Sequence, residues 1–312
     1  MEPGFLNLHK PAGWTSHDCV AKVRRLLGTK KVGHGGTLDP AATGVLPIAL
    51  GRATRLLNFL PGDKAYRAVI RFGLTTATDD LEGAVLTATP VPTLTEAAAI
   101  APLPQFLGPL SQIPPQYSAI QVQGQRLYDL ARRGQTVAVP ARAVTVHRIE
   151  PLHWQPGEFP ELTVAIACGP GTYIRSIARD WGAVLGVGAT LASLVRTHSS
   201  GFDLADSLTL DTLEGAIAAG TFTPIAPGVA LRHWPALTLG PDVAQRWRQG
   251  QKVPIAETAL ATLAPAPGLD GPGDTVRIVT ETGAFLGISA IAFDGETGTH
   301  RLHPKMVFIP AG

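Results

Sequence analysis

The sequence predicts an α+β protein that ends in a small unit built of strands. Apolar and polar residues alternate over residues 64–72, which is typical of a half-buried strand. Helical apolar stripes follow Ser16 and Thr172, and short apolar runs alternate with Gly and Pro turns after about residue 230. We therefore expect one domain over residues 1–232 and a smaller one over residues 233–312.

The composition is that of a globular protein without a membrane segment. Of the 312 residues, 45% are hydrophobic and 16% are charged, a balance that supports a packed core. No apolar run reaches the roughly 20 residues of a membrane span, and the first residues lack the pattern of a secretory signal. Cys19 and Cys168 are the two cysteines and lack zinc-ligand spacing, so we expect a reducing, cytoplasmic setting.

Positive charge is concentrated near the N-terminus. Residues 1–75 contain 11 Lys and Arg against 4 Asp and Glu, which gives a net charge of +7. Residues 201–312 contain 7 against 11, which gives −4. The basic segment points to an anionic partner such as RNA or DNA; a solvated basic face is the alternative.

The N-terminal elements follow from local pattern. Residues 5–8 (FLNL) predict a short strand that enters a turn over residues 10–13. Ser16 is a candidate cap for a helix that ends near Gly28. The apolar stripe of that helix consists of Val20, Val23, Leu26 and Leu27.

The middle of the chain is less regular. The strand over residues 64–72 places Tyr66 at the start of its apolar face. Residues 85–104 predict a loop with a short helix, and residues 109–141 predict a surface excursion. Within the excursion we expect a helix over Gln125–Arg133.

A second strand and helix follow the excursion. Residues 162–168 (LTVAIAC) predict a strand, and Gly169, Pro170 and Gly171 turn the chain into a helix with Thr172 as its N-cap. The buried stripe of this helix should be Ile174, Ile177, Ala178, Trp181 and Val184. Beyond residue 230 we expect strands, with a flexible loop over residues 264–274.

The segment from Gly33 to Gly44 (GHGGTLDPAATG) is the most informative in the chain. Its glycines allow a ligand to approach the backbone, and Pro40 restricts Asp39 to extended geometry. One carboxylate is therefore held on a rigid, open turn. An ordinary surface turn is the alternative. A phosphate-binding P-loop is a third and poorer alternative, because Gly33 is followed by His34 rather than by Lys.

Arg175 is the second informative residue. It falls in the first turn of its helix, where the helix dipole disfavours a cation, so a nearby anion such as Asp39 is expected. A solvent-directed arginine is the alternative. Tyr66 is either an ordinary core tyrosine or a platform on which a base stacks. Asp79 and Asp80 could supply second acids, although we expect them to lie on a solvated turn.

These motifs resemble the TruB family of tRNA pseudouridine synthases over nearly the whole chain. The similar segments are, in order, residues 8–16 (LHKPAGWTS), 33–44, 64–66 (KAY), 171–176 (GTYIRS) and 194–196 (LVR). The resemblance implies a mixed, mainly antiparallel sheet flanked by helices, an RNA-gripping insertion at about 109–141, and a small PUA-like β-barrel at the C-terminus.

The resemblance also implies an activity and its catalytic residues. The reaction would isomerise the T-loop uridine of tRNA, conventionally uridine 55, to pseudouridine, without a cofactor or metal. Asp39 would be the catalytic carboxylate, Arg175 would pair with it and hold it charged, and Tyr66 would stack on the flipped base. The base must leave its stack, which costs a few kcal/mol.

The resemblance further implies residues that bind the substrate. His34 would fill the gap left by the flipped base, and Leu194 would supply an apolar floor. The remaining binding residues would be Lys64, Arg126, Arg132, Tyr173 and Lys10, the last of which would contact RNA phosphate. Because the excursion is similar to that of the stand-alone bacterial branch, we expect a monomer that acts on the tRNA T arm without an obligatory guide RNA. A binding factor without chemistry and a nucleoside hydrolase remain as rival interpretations.

Overall fold

The computed structural model describes residues 2–117, 121–122, 125–126, 139–261, 274–295 and 298–308. Its strands are β1 (Gly4–Lys10), β2 (Val32–His34), β3 (Thr43–Leu50), β4 (Lys64–Phe72), β5 (Leu74–Thr76), β6 (Val85–Ala88), β7 (Gly108–Gln112), β8 (Gln121–Val122), β9 (Gln125–Arg126), β10 (Arg142–Gln155), β11 (Glu161–Cys168), β12 (Ala189–Ser199), β13 (Phe202–Asp203), β14 (Ala236–Leu239), β15 (Val253–Pro254), β16 (Thr275–Thr280), β17 (Phe285–Asp294) and β18 (Thr299–Val307).

The helices of the described ranges are mostly short. The α-helices are α1 (Ser16–Leu26), α2 (Glu96–Ile100), α3 (Ile174–Leu185), α4 (Leu210–Ala218), α5 (Pro227–Ala230), α6 (Pro241–Arg248) and α7 (Glu257–Ala261). Three 3-10 helices cover Gly51–Phe59, Leu103–Phe106 and Leu204–Asp206. Among the described residues, no helix is long and apolar enough to cross a membrane.

A large sheet organises residues 4–203. Its strand order is β1-β3-β12-β4-β11-β10-β7, with β2 paired to β3 and β13 paired to β12. The pair β3–β12 is parallel, and the other pairs are antiparallel. The mixed, mainly antiparallel sheet is therefore confirmed. Strand β12 lies between β3, which follows the Gly-rich segment, and β4, which carries Tyr66.

The predicted alternation of β4 is confirmed by its burial. Tyr66, Ala68, Ile70 and Phe72 are buried in one core with α3. Trp181 of α3 is fully buried there and donates its indole N–H to the carbonyl of a neighbouring helix at 2.9 Å. This core fixes α3, and with it Arg175, against the strand that carries Tyr66.

Both predicted helix caps are displaced by one residue. Thr15, not Ser16, caps α1, because its hydroxyl accepts the amide of Asp18 while the Asp18 carboxylate accepts the amide of Thr15. Tyr173, not Thr172, precedes α3 without a side-chain cap, since the Thr172 hydroxyl donates to the Gly169 carbonyl at 3.1 Å. The predicted stripe of α3 is buried except for Val184, which is 50% exposed.

The predicted excursion begins later than expected. Residues 109–112 belong to β7, which pairs with β10 at the edge of the large sheet. Gln125–Arg126 forms a strand that pairs with β8, so the helix expected over Gln125–Arg133 does not begin at its predicted residue. Residues 127–138 lie outside the described residues, and so does the rest of that prediction.

The C-terminal unit is a curled five-stranded half-barrel of order β14-β16-β17-β18-β15, consistent with a PUA-like domain. It also contains α6 and α7, which the expectation of an all-β unit missed. Of the predicted loop over residues 264–274, all but the last residue lies outside the described residues. Phe5 and Val45 of the large sheet share a core with Ile288 and Met306 of this unit, so the two regions pack together.

Candidate active site

A pocket of about 260 Å³ opens where the Gly-rich segment meets β4 and the start of α3. It brings together side chains that are far apart in the sequence. Its lining residues include six of the predicted site residues: Asp39, Lys64, Tyr66, Tyr173, Arg175 and Leu194. Gly36, Thr37, Leu38, Gly171, Thr172 and Ile174 complete the wall.

Two N-terminal residues, Lys10 and Ser16, bind the backbone of the Gly-rich segment. The hydroxyl of Ser16 accepts the Leu38 amide at 2.9 Å and donates to the Leu38 carbonyl at 3.2 Å. The ammonium of Lys10 donates to the carbonyls of Pro11, Trp14 and Pro40 at 2.6–3.0 Å. Since Leu38 and Pro40 flank Asp39, these bonds fix the backbone on both sides of the carboxylate.

Arg175 joins two carboxylates. Its Nη2 lies 3.0 Å from Oδ2 of Asp39, and its Nη1 lies 3.4 Å from Oδ2 of Asp80. The guanidinium also donates to the carbonyls of Thr78 and Tyr117, each at 3.1 Å. The Arg175 side chain is 6% exposed, whereas that of Asp39 is 39% exposed. The arginine is therefore locked in the protein while the carboxylate faces the pocket.

The expectation that Asp79 and Asp80 lie on a solvated turn is wrong. Asp80 is buried, and its Oδ1 accepts the Thr78 hydroxyl and the Glu82 amide. Asp79 adopts a left-handed φ of 61° and pairs with Arg179 at 3.0 Å. Burial raises the pKa of Asp79, against the effect of the adjacent arginine. The two aspartates thus bind two arginines one turn apart on α3.

Tyr66 forms the apolar side of the pocket together with Leu194. Both are less than one-tenth exposed. Burial raises the pKa of Tyr66 to about 12, while the positive charge of Arg196 and a hydrogen bond with it act in the opposite direction. The phenol is therefore protonated at neutral pH, and its ring offers a flat surface to a planar ligand.

Lys64 and Tyr173 flank this apolar side. The Lys64 ammonium donates to the Gly62 carbonyl at 2.9 Å, and burial lowers its pKa. The side chain of Gln112 bonds both the amide and the carbonyl of Tyr173, at 2.8 and 3.1 Å. The last residue of β7 thus fixes the entry to α3.

Comparison with known proteins assigns the family. The family model of the TruB family pseudouridylate synthase N-terminal domain matches residues 24–174, and that of the pseudouridine synthase II TruB C-terminal domain matches residues 235–308. A protein of Trichormus variabilis is 55% identical over 308 residues, which cover 98% of this chain and 99% of the relative. The chain belongs to the TruB family.

Two further comparisons agree with this assignment. A TruB relative from Acaryochloris marina is 63% identical over 251 residues, which cover 80% of this chain and 86% of the relative. Both relatives are named tRNA pseudouridine synthase B. Solved structures of an archaeal box H/ACA Nop10–Cbf5 complex and of a Cbf5–Nop10–Gar1 complex contain a similar chain, at 26% identity and TM-scores of 0.70 and 0.71. Each match covers 98% of this chain and 85–86% of that chain.

Among the described side chains, two of the TruB site residues predicted from the sequence, Lys10 and His34, do not line the pocket. Lys10 is fully buried and satisfied by three carbonyls, so its predicted contact with RNA phosphate is corrected to a structural contact with the Gly-rich segment. His34 lies on β2 with its ring 5.4 Å from that of His17. Arg126 lies in β9, where only its backbone is described, and Arg132 lies outside the described residues.

Sequence reasoning missed two charged residues of the site and one amide. Asp80 precedes Gly83, and this context predicts a solvated turn rather than a buried partner of Arg175. The alternation of side chains in a strand could have revealed Arg196. It lies two residues after Leu194, so both side chains are on the same face. Gln112 carries no local signal, since its role depends on where β7 meets α3.

The pocket of this TruB protein suits a carboxylate reaction on a planar ligand. The exposed oxygen of Asp39 can attack an electrophilic carbon or accept a proton. Tyr66 and Leu194 offer the apolar surfaces between which a base fits. Among the described residues, no group of three or more His, Cys, Asp or Glu side chains could hold a metal ion.

Proposed function

We propose that this chain is a tRNA pseudouridine synthase that isomerises the T-loop uridine, conventionally uridine 55, without a cofactor. The observation that carries the proposal is the half-exposed Asp39 carboxylate, 3.0 Å from buried Arg175 in a pocket walled by Tyr66 and Leu194. The names of the relatives support tRNA as the substrate. The position in the T loop follows from the resemblance of the motifs.

The reaction exchanges one bond to the sugar for another. The N1–C1′ bond of the uridine breaks, the uracil turns, and its C5 forms a bond with C1′. N1 gains a proton and C5 loses one, so the atoms of substrate and product balance. Asp39 either attacks C1′ or removes the C2′ proton to give a glycal, and in both routes it is the group nearest the sugar.

The other pocket residues divide the remaining work. Arg175 holds Asp39 through a charge-assisted bond and keeps it aimed at the pocket. Tyr66 stacks on the flipped base, and its hydroxyl helps in the removal of the C5 proton. Leu194 closes the apolar side, and Lys64 and Tyr173 bind the neighbouring nucleotides.

We also propose how the domains share recognition of the substrate. Residues 1–232 carry the reaction and the basic surface, and residues 233–312 add RNA contacts. His34 stacks in the gap left by the base, and Arg126 and Arg132 of the excursion grip the T arm. The enzyme acts as a monomer without a guide RNA. The similarity along 99% of a relative named tRNA pseudouridine synthase B supports an enzyme of the stand-alone branch.

Tritium release tests the proposal directly. The purified chain is incubated alone with a tRNA transcript labelled at C5 of uridine, and a transcript with cytidine at the target position is the control. We expect release by the parent protein and none by Asp39→Ala or Asp39→Asn, with tRNA affinity of both variants within a few-fold. Free uracil would indicate a hydrolase, and tight binding without release would indicate a binding factor.

A further inference from the structure

Arg196 is a buried cation that the reaction proposed above does not use. It lies on β12 and is fully buried. In the sheet its backbone pairs with Gly44 at the end of the Gly-rich segment on one side and with Tyr66 on the other. Arg196 therefore sits between the strand that carries Tyr66 and the segment that carries Asp39.

The guanidinium of Arg196 donates to backbone carbonyls on both sides of the loop that carries Asp39. Its Nη2 and Nη1 donate to the carbonyls of Gly36 and Thr37 at 3.2 and 3.1 Å. Its Nε donates to the Val45 carbonyl at 2.7 Å. The planar fork of an arginine suits this task, since it presents several N–H donors in fixed directions. One side chain thus closes the loop between residues 36 and 45.

Gly44 makes this close approach possible. It has a φ of +104°, which side-chain-bearing residues rarely adopt, and a Cβ there would collide with the Arg196 carbonyl oxygen. The backbone of β12 therefore lies directly against the end of the Gly-rich segment. This contact keeps the Arg196 side chain next to the loop formed by residues 36–45.

We propose that Arg196 is a positioning residue that ties Gly36 and Thr37 to Val45 before RNA binds, so that Asp39 is aimed at the pocket in the free enzyme. Lys10 and Ser16 fix the backbone next to Asp39, whereas Arg196 sets the distance across the loop. The inference rests on the proposed role of Asp39. Misplacement of a reacting group by about 1 Å can cost about 100-fold in rate.

Arg196→Lys keeps the positive charge and removes the fork. Single-turnover rates with saturating tRNA are compared with tRNA affinity and melting temperature. We expect the rate to fall at least about tenfold while the tRNA Kd stays within about threefold, because the RNA-facing surface is unchanged. A rate within twofold of the parent, or a Kd that rises as much as the rate falls, would overturn the proposal.

Arg277 provides a matched control. It is half-buried in the C-terminal unit and donates to the carbonyls of Trp234 and Gly228 at 3.0 and 3.3 Å. Arg277→Lys should lower the melting temperature without changing the single-turnover rate by more than twofold. An equal loss of rate in both variants would mean that Arg196 acts only through stability, and would overturn the positioning role.

A measurement on the parent protein does not depend on the variant folding. Amide hydrogen exchange of residues 33–44 is followed with and without a T-arm RNA. The proposal requires that the segment be protected already in the free protein, and protection gained only with RNA would overturn it. If the parent released no tritium, the proposed function would fail, but the exchange experiment would still test whether the loop is ordered before RNA binds.

Discussion

The guanidinium of Arg175 lies 3.0 Å from the carboxylate of Asp39, with the arginine buried and the carboxylate facing the pocket. Most strands of the large sheet lie between these two residues in the sequence. The turn before α3 brings Arg175 next to Asp39. The dipole of α3 disfavours a cation in its first turn, and the carboxylates of Asp39 and Asp80 compensate for it.

Arg175→Lys should reduce turnover by roughly 100-fold, because an ammonium cannot bind both carboxylates with fixed geometry. The tRNA Kd should change only a few-fold. Arg179→Lys is the matched control, since Arg179 lies one turn along α3 and pairs with Asp79 at 3.0 Å. Near-normal turnover of Arg175→Lys in a tritium-release assay would argue against the ion pair as the support of Asp39.

Asp80→Asn should lower turnover by about tenfold by removing the second carboxylate that holds Arg175. A neutral amide compensates the charge of buried Arg175 less well than a carboxylate does. The free energy of unfolding should therefore also fall, by about 1–3 kcal/mol. Asp79→Asn is the control on the adjacent residue, where asparagine tolerates the left-handed backbone. Both variants are compared by urea unfolding and by single-turnover rate. Equal effects of the two changes would show that Asp80 has no special role.

Tyr66→Phe should make the protein more resistant to alkaline unfolding. The pKa of the buried phenol is raised to about 12 from a usual value near 10. Between these values the unfolded chain has lost the proton that the folded chain keeps, so the unfolding free energy of the parent falls as pH rises, by up to about 1.4 kcal/mol per pH unit. Phenylalanine has no proton to release, so the free energy of unfolding of the variant lacks this decrease with pH.

Melting temperatures of parent and Tyr66→Phe between pH 8 and pH 11 measure the difference. Burial also raises the pKa values of Cys19 and Cys168 to about 11. Both proteins contain both thiols, so their contributions cancel in the difference between the two melting curves. Parallel curves throughout would contradict the raised pKa. In the tritium assay at pH 7.5, retention of base stacking by phenylalanine predicts residual activity, and complete loss would mean that the hydroxyl takes part in the reaction.

Lys10 and Lys64, both predicted from the sequence to bind the substrate, should respond differently to loss of charge. Lys10→Met should leave three buried carbonyls without their donor and lower the unfolding free energy by about 1–3 kcal/mol. Lys64→Gln, at the pocket, should instead weaken tRNA binding and reduce its salt dependence by about one unit of slope. Urea unfolding and tRNA titration at several salt concentrations separate the two effects. A salt slope lowered by Lys10→Met would restore its predicted phosphate contact.

Local pattern predicted those parts of the fold that depend on neighbours in the chain. The alternation of β4 placed Tyr66 on the buried face, and the glycines and Pro40 around Asp39 predicted an exposed carboxylate on a fixed turn. The family resemblance extended this to the mixed sheet and to the pairing with Arg175. These inferences held because strand periodicity and turn chemistry are properties of short segments.

The errors arose where a side chain is paired with a distant segment. Asp80 has the sequence context of a surface turn, yet Arg175 draws it into the protein. Lys10 has the context of a solvent-exposed basic residue, yet three carbonyls surround its ammonium. Arg175 lies far from Asp80 in the sequence, and the Pro40 carbonyl lies 30 residues after Lys10. Neither of these partners can be read from the flanking residues.

The sequence by itself determined the family and the class of fold and predicted Asp39 as the candidate catalytic carboxylate, since these depend on contiguous motifs. Only the tertiary structure decided that Lys64 and Arg175 line the pocket, whereas Lys10 and Arg196 bind the backbone of the Gly-rich segment. Arg196 shows the reason: its three acceptors lie some 150 residues earlier in the chain, and only the parallel pairing of β12 with β3 brings them within its reach.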